Sequence, residues 1–261
     1  HQMLQDPFIL GILCSLGAGL MTGVGALPIF AGKHSSPITQ DVLLGFGAGV
    51  MLSASFFSLI IPGLEFAETE GWHTSSAASI VGLGIFLGSL LLYTLNRFLP
   101  HEHFIIGPEG SDAVALRRIW LFIIAITIHN FPEGLAVGVG FGGGNIGNGY
   151  ALATGIGLQN LPEGLAVAMA LFTLGYTKAQ SFGVALMTGL AEPLGGLLGV
   201  LILSLGTFIL PAAMGFAAGA MIYVISSEII PETHRRGHQQ ASTWGLMLGM
   251  LIMFFLDVSL G

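Results

Sequence analysis

Apolar residues fill most of this chain in stretches of about 20, and polar positions gather in the short breaks between them. A helix needs about that length to cross a hydrocarbon core of roughly 30 Å. The pattern predicts eight spanning helices, over 8–31, 41–62, 77–98, 118–141, 149–172, 180–206, 209–230 and 242–260. Two connectors are more polar than the rest: 63–76, with Glu65, Glu68, Glu70 and His73, and 99–117, with His101, Glu102, His103, Glu109 and Asp112. The expected fold class is an all-α integral membrane protein. No linker divides it, so residues 1–261 are expected to form one transmembrane domain.

Composition strengthens this reading. The chain is 53% hydrophobic and 8% charged, against roughly 25% charged residues in soluble domains. Its 40 glycines suit close helix contacts in lipid, where small residues let backbones approach. Cys14 is the only cysteine, which excludes an intramolecular disulfide and any thiolate zinc cluster. The seven basic residues are Lys33, Arg97, Arg117, Arg118, Lys178, Arg235 and Arg236, and with eight spans all of them fall in or beside connectors of one side. An excess of Lys and Arg marks the cytoplasmic side, so both termini are expected outside. The acidic connector 63–76 then also faces outside, where it would attract cations.

Within the apolar runs one phrase occurs twice, thirty positions apart: His129-Asn130-Phe131-Pro132-Glu133-Gly134 and Gln159-Asn160-Leu161-Pro162-Glu163-Gly164. Polar groups at membrane depth are expensive and mark functional sites. The two motif helices cross in opposite directions, so an approximate two-fold axis in the membrane plane would bring the motifs together near the midplane. Spacings of three and four put His129, Asn130 and Glu133 on one helix face, and Gln159, Asn160 and Glu163 on another. Pro132 and Pro162 withhold a backbone N–H, which predicts bends and frees the carbonyls of Ile128 and Leu158. Glu192, beside Pro193 in the sixth span, adds a third carboxylate. Such a set is costly in an apolar interior unless a cation pairs with it. Carboxylate and imidazole without thiolate suit zinc, iron(II), manganese or cadmium.

The paired motif, with the Glu-Pro of the sixth span, resembles the ZIP (Zrt/Irt-like) family of divalent-metal transporters, in particular its bacterial, broad-selectivity branch. The resemblance covers essentially the whole chain. It implies a 3+2+3 arrangement, with the first and last three helices related by inversion around the middle pair. It further implies a multi-pass protein of the bacterial inner membrane that takes divalent metal into the cytoplasm by alternating access through a binuclear centre. One metal would use His129, Glu133, Gln159 and Glu163, and the other Asn130, Glu133, Asn160, Glu163 and Glu192. Some close relatives have aspartate at the position of Asn160, which leaves the second metal position here one charge poorer. The resemblance also suggests an entrance at Glu65 and Asp257.

Glu228, Glu232, His234 and His238 after the seventh span, and His101 and His103 after the third, are candidates for a cytoplasmic exit, with solvated loop residues as the plain alternative. Ser53, Ser55 and Ser58 are read as helix-contact residues. The expected partners are divalent metal ions and the lipid bilayer, with a homodimer as one assembly and no nucleic acid. No cofactor is expected, and Zn(2+) or Cd(2+) enters as transported ion. A passive metal channel or sensor would use the same ligands. A metal-dependent intramembrane hydrolase fits less well, because neither motif helix has the second His of H-E-x-x-H.

Overall fold

The computed structural model describes residues 5–32, 36–98, 127, 130–173 and 175–260. Among the described residues the regular structure is entirely helical. It comprises α1 (Pro7–Ala26), α2 (Pro37–Ser53), α3 (Ile61–Thr69), α4 (Thr74–Phe98), α5 (130–140), α6 (Ile146–Thr173), α7 (Lys178–Gly189), α8 (Ala191–Ser204), α9 (Leu210–Val224), α10 (Ile230–His234) and α11 (Gln239–Leu260). Local chemistry sets the starts. Asp6 accepts from the Phe8 N–H and Ser36 from the Thr39 N–H, each followed by a proline in the first helical turn. Thr177 and Gln180 form a reciprocal capping box at the start of α7.

Six continuous stretches among the described residues are long and apolar enough to cross a membrane: Pro7–Ala31, Pro37–Thr69, Thr74–Phe98, Lys178–Ser204, Thr207–Ser227 and Gln239–Leu260. They overlap the expected first, second, third, sixth, seventh and eighth spans. α6 covers the expected fifth, and α5 is the described part of the fourth. The second stretch is longer than the apolar pattern predicts. It runs on to Thr69, so Glu65 and Glu68 stand on a helix, and the turn to α4 is made at Gly71 with φ +91°. Hydropathy reports where the apolar environment ends, whereas a helix continues as long as its backbone bonds are satisfied.

The prolines act differently from one another. α6 runs without interruption through Pro162, while the stretch Lys178–Ser204 breaks at Leu190, three residues before Pro193. π-helical turns occupy Ala54–Ile60 and Ile225–Ile229, just before Pro62 and Pro231. Each absorbs the register change that a residue without an N–H forces on the helix.

Glycine carries the packing in matched pairs. Gly45 and Gly49 of α2 lie against the Ser242 and Leu246 carbonyls of α11, while Gly245 and Gly249 lie against the Val42 and Phe46 carbonyls. A Cβ at any of the four would collide with backbone. α9 and α4 repeat this contact for contact: Gly215 and Gly219 meet the Val81 and Ile85 carbonyls, and Gly84 and Gly88 meet those of Ala212 and Phe216. The middle of the molecule shows the same correspondence. Gly164 of α6 meets the Thr22 carbonyl and Gly25 of α1 that of Leu161, just as Gly134 of α5 meets the Glu192 carbonyl and Gly195 of α8 that of Phe131. Thr22 thus corresponds to Glu192, and the α5 motif to the α6 motif. α1, α6, α7 and α8 pack among themselves, as do α2 with α11 and α4 with α9, and α6 meets α2 and α11 where the groups join.

Candidate metal centre

The polar residues of the two motifs and Glu192 are withdrawn from the surface: Asn130, Asn160 and Glu192 are 0% exposed, Glu133 1%, and Gln159 and Glu163 4%. Helical spacing does what the sequence predicts for α6, where Gln159 Nε2 donates to Glu163 Oε2 at 2.7 Å across one turn. The two motif asparagines are anchored alike. Asn130 Nδ2 donates to the Thr188 carbonyl at 2.8 Å, and Asn160 Nδ2 to the Ala18 carbonyl at 2.8 Å and also to Glu192 Oε1. Thr188 and Ala18 are themselves counterparts in the correspondence set by the glycine contacts.

These bonds sort donors from acceptors. Every amide nitrogen of the set is tied to an oxygen, which turns each amide oxygen away from that bond. Asn130 Oδ1, Gln159 Oε1, Asn160 Oδ1, both Glu133 oxygens, Glu163 Oε1 and Glu192 Oε2 are then buried with no hydrogen-bond partner among the described residues. Glu133 lies within electrostatic reach of both Glu163 and Glu192. With its carboxylates ionised, a buried cluster of this kind cannot satisfy itself, because carboxylate and amide oxygens only accept. Among the described residues none in contact with it carries a positive charge. Glu133, Gln159, Pro162 and Glu163, with Leu43, Leu44, Gly47 and Ile229, line a cavity of about 10 Å³, room for one water-sized particle. Gly47 keeps that space open, since a Cβ there would come to 3.0 Å from Gln159 Cγ.

Among the described residues no three His, Cys, Asp or Glu side chains form a group able to hold an ion by themselves. His129 lies outside the described residues, as do His101 and His103.

The structure brings Glu65 and Asp257, the residues expected at an entrance, towards each other. Ser58 Oγ donates to Asp257 Oδ1 at 2.6 Å, and Glu65, exposed on α3, lies within electrostatic reach of Asp257. That bond ties the second stretch to α11, in keeping with Ser58 as a helix-contact residue, while Ser55 Oγ donates to the Met51 carbonyl of its own helix at 2.8 Å. Of the residues expected at the exit, the side chains of His234 and His238 are described. His234 Nδ1 faces the Ile230 carbonyl of its own helix at 3.0 Å, and His238 Nδ1 lies 2.6 Å from Asp41 Oδ2. Glu228 sits on the π-helical turn and Glu232 on α10. Asp41, fully buried and also bonded to Arg236 at 2.9 Å, was not singled out from the sequence. The signal was available, as a carboxylate one turn inside an apolar helix capped by Ser36.

A family model described as "ZIP Zinc transporter" matches residues 107–257. Zinc transporter GufA of Myxococcus xanthus is 45% identical over 251 residues, covering 96% of this chain and 99% of that protein. Zinc transporter ZIPB of Bordetella bronchiseptica is 49% identical over 240 residues, covering 92% and 78%. Zinc transporter ZIP11 of Homo sapiens is 32% identical over 322 residues, covering 92% and 94%. With its long apolar helices, the protein is a multi-pass membrane transporter and not an enzyme. The chain belongs to the ZIP family.

Proposed function

We propose that this chain carries zinc into the bacterial cytoplasm across the inner membrane, through the acceptor cluster of α5, α6 and α8. The observation that carries this reading is the set of seven buried oxygens left without partners while the amide nitrogens beside them are tied off. A divalent cation satisfies them together, and the names of the relatives point to zinc. Oxygen and imidazole donors leave cadmium, iron(II) and manganese as further substrates.

The proposed centre is binuclear. His129, Glu133, Gln159 and Glu163 hold one ion, and Asn130, Glu133, Asn160, Glu163 and Glu192 the other, with Glu133 and Glu163 shared. Two ions bring four positive charges to three carboxylates, so the ion on the Asn160 side is held less firmly. Burial of every described ligand favours a carrier over an open pore, which would leave its ligands wet; alternating access exposes the centre to each side in turn. The domain is residues 1–261, with eight spans in a 3+2+3 inverted arrangement, which the paired glycine contacts support. Both termini lie outside, metal enters past Glu65 and Asp257, and Glu228, Glu232, His234 and His238 form the exit with His101 and His103. A homodimer is the proposed assembly, tested by cross-linking in membranes.

Two experiments test the reading. Proteoliposomes loaded with a metal-sensitive dye should show saturable uptake of zinc, compared side by side with cadmium, iron(II) and manganese; flux that rises linearly with concentration would indicate a pore. For orientation, a cysteine placed at exposed Glu70 should react with an impermeant thiol reagent from outside, and one at exposed His234 only after permeabilisation. The reverse pattern would invert the topology.

A further inference from the structure

Thr22 takes no part in the ligand set above, yet it stands where Glu192 stands in the other half of the molecule. The correspondence is fixed by backbone contacts: the Thr22 carbonyl meets Gly164 as the Glu192 carbonyl meets Gly134, and Gly25 meets Leu161 as Gly195 meets Phe131. The anchoring of the asparagines follows the same register, with Ala18 for Asn160 and Thr188 for Asn130. One contact breaks the match. Asn160 donates to two acceptors, the Ala18 carbonyl and Glu192, whereas Asn130 donates to Thr188 alone. The absent second acceptor is the one residue 22 would supply. A threonine oxygen stands two bonds closer to the backbone than a glutamate oxygen, and Thr22 Oγ1, in a side chain with 0% exposure, is left without any partner among the described residues.

We propose that Thr22 is a specificity-determining residue of the metal centre: the neutral counterpart of Glu192, it holds the site at three carboxylates and takes a water carried with the ion shared by Asn130, Asn160 and Glu192. The inference rests on the reading of the cluster as an ion site. An ion bound between α5, α6 and α8 meets a carboxylate directly from α8 and only a hydroxyl from α1. This asymmetry keeps the total charge below that of two divalent ions, which favours release of the second ion over its retention. The unpartnered hydroxyl is explained at the same time, since ordered water is the usual partner of such a group.

The test is zinc binding by the purified protein, with melting temperature and gel filtration reporting the fold. Glu192→Thr should weaken binding, and the exchange Thr22→Glu/Glu192→Thr should restore it, because the carboxylate has only moved across the pseudo-two-fold axis. Thr22→Glu alone should tighten the weaker ion by about tenfold or more, the size expected for one added charge in a buried site. Thr22→Val keeps the shape and removes only the hydroxyl, so it decides the question if the larger side chain prevents folding. It should lower zinc affinity by roughly tenfold, the lower end of what loss of an outer-shell ligand contact costs. A folded double variant that binds no better than Glu192→Thr, or an unchanged affinity in Thr22→Val, overturns the proposal. Glu133→Gln separates this failure from that of the site itself: binding lost there with no recovery in the exchange refutes only the role of Thr22, and binding retained there refutes the site.

Discussion

Two groups of buried carboxylates in this molecule are built in opposite ways. Asp41, at the start of α2, has both oxygens engaged, Oδ1 by Arg236 and Oδ2 by His238. Its partners come from the turn before α11, and the cluster closes on itself with charges of both signs. Glu133, Glu163 and Glu192 have no basic residue in contact among the described residues and retain four oxygens without partners. Burial alone therefore does not identify an ion site. What distinguishes the two is leftover acceptor capacity, which a structural ion pair uses up and a binding site retains.

The largest contrast should come from truncating one carboxylate in each group. Glu133→Ala should abolish metal uptake in proteoliposomes while folded protein still reaches the membrane, a loss beyond the roughly 10-fold to 100-fold typical of residues that only support a ligand. Near-normal uptake would remove Glu133 from the centre.

Next in size is Asn160→Asp. A carboxylate has no N–H to give, so the bonds to the Ala18 carbonyl and Glu192 are lost while a fourth negative charge enters the cluster. Without metal the variant should melt lower than wild type, by roughly 1–3 kcal/mol of stability for the unsatisfied groups. With zinc present the order should narrow or reverse, because the second ion is then bound about tenfold more tightly. Melting curves with and without zinc read both effects, and equal metal-induced shifts in the two proteins would show that Asn160 does not limit the second ion.

The smallest effect is expected at Asp41. Asp41→Ala leaves Arg236 and His238, whose side chains are 39% and 27% exposed, free to turn towards water. The loss should be about 1–2 kcal/mol of stability, less than for a fully buried pair. Zinc stoichiometry in the purified variant should stay as in wild type; a lost ion would make Asp41 part of the centre.

The sequence carried unequal amounts of this picture. Long apolar runs and the doubled motif were legible because each has its own period: the length of a bilayer crossing, and three- and four-residue spacings on one helix face. The Gln159–Glu163 bond is that spacing made visible. Less legible was what Pro162 and Pro193 would do, since both lack an N–H yet only the second stands beside a break, at Leu190, where α1 crosses close at Gly19. The pairing of α2 with α11 and of α4 with α9 was not read from the chain, because a glycine four residues from another does not name its partner helix. Asp41 was missed for a related reason. Its partners lie almost two hundred positions away, and only the fold brings Arg236 and His238 to it.

The oxygens of α5, α6 and α8 form a metal site, on the reading proposed above, because nothing among the described residues satisfies them. Equilibrium zinc binding to purified Glu163→Gln, beside wild type and Asp41→Ala, tests it most directly, since the substitution keeps the side-chain shape and removes only the charge. The account predicts that Glu163→Gln loses zinc while Asp41→Ala keeps the wild-type stoichiometry. Zinc bound by Glu163→Gln with wild-type stoichiometry and affinity would contradict it.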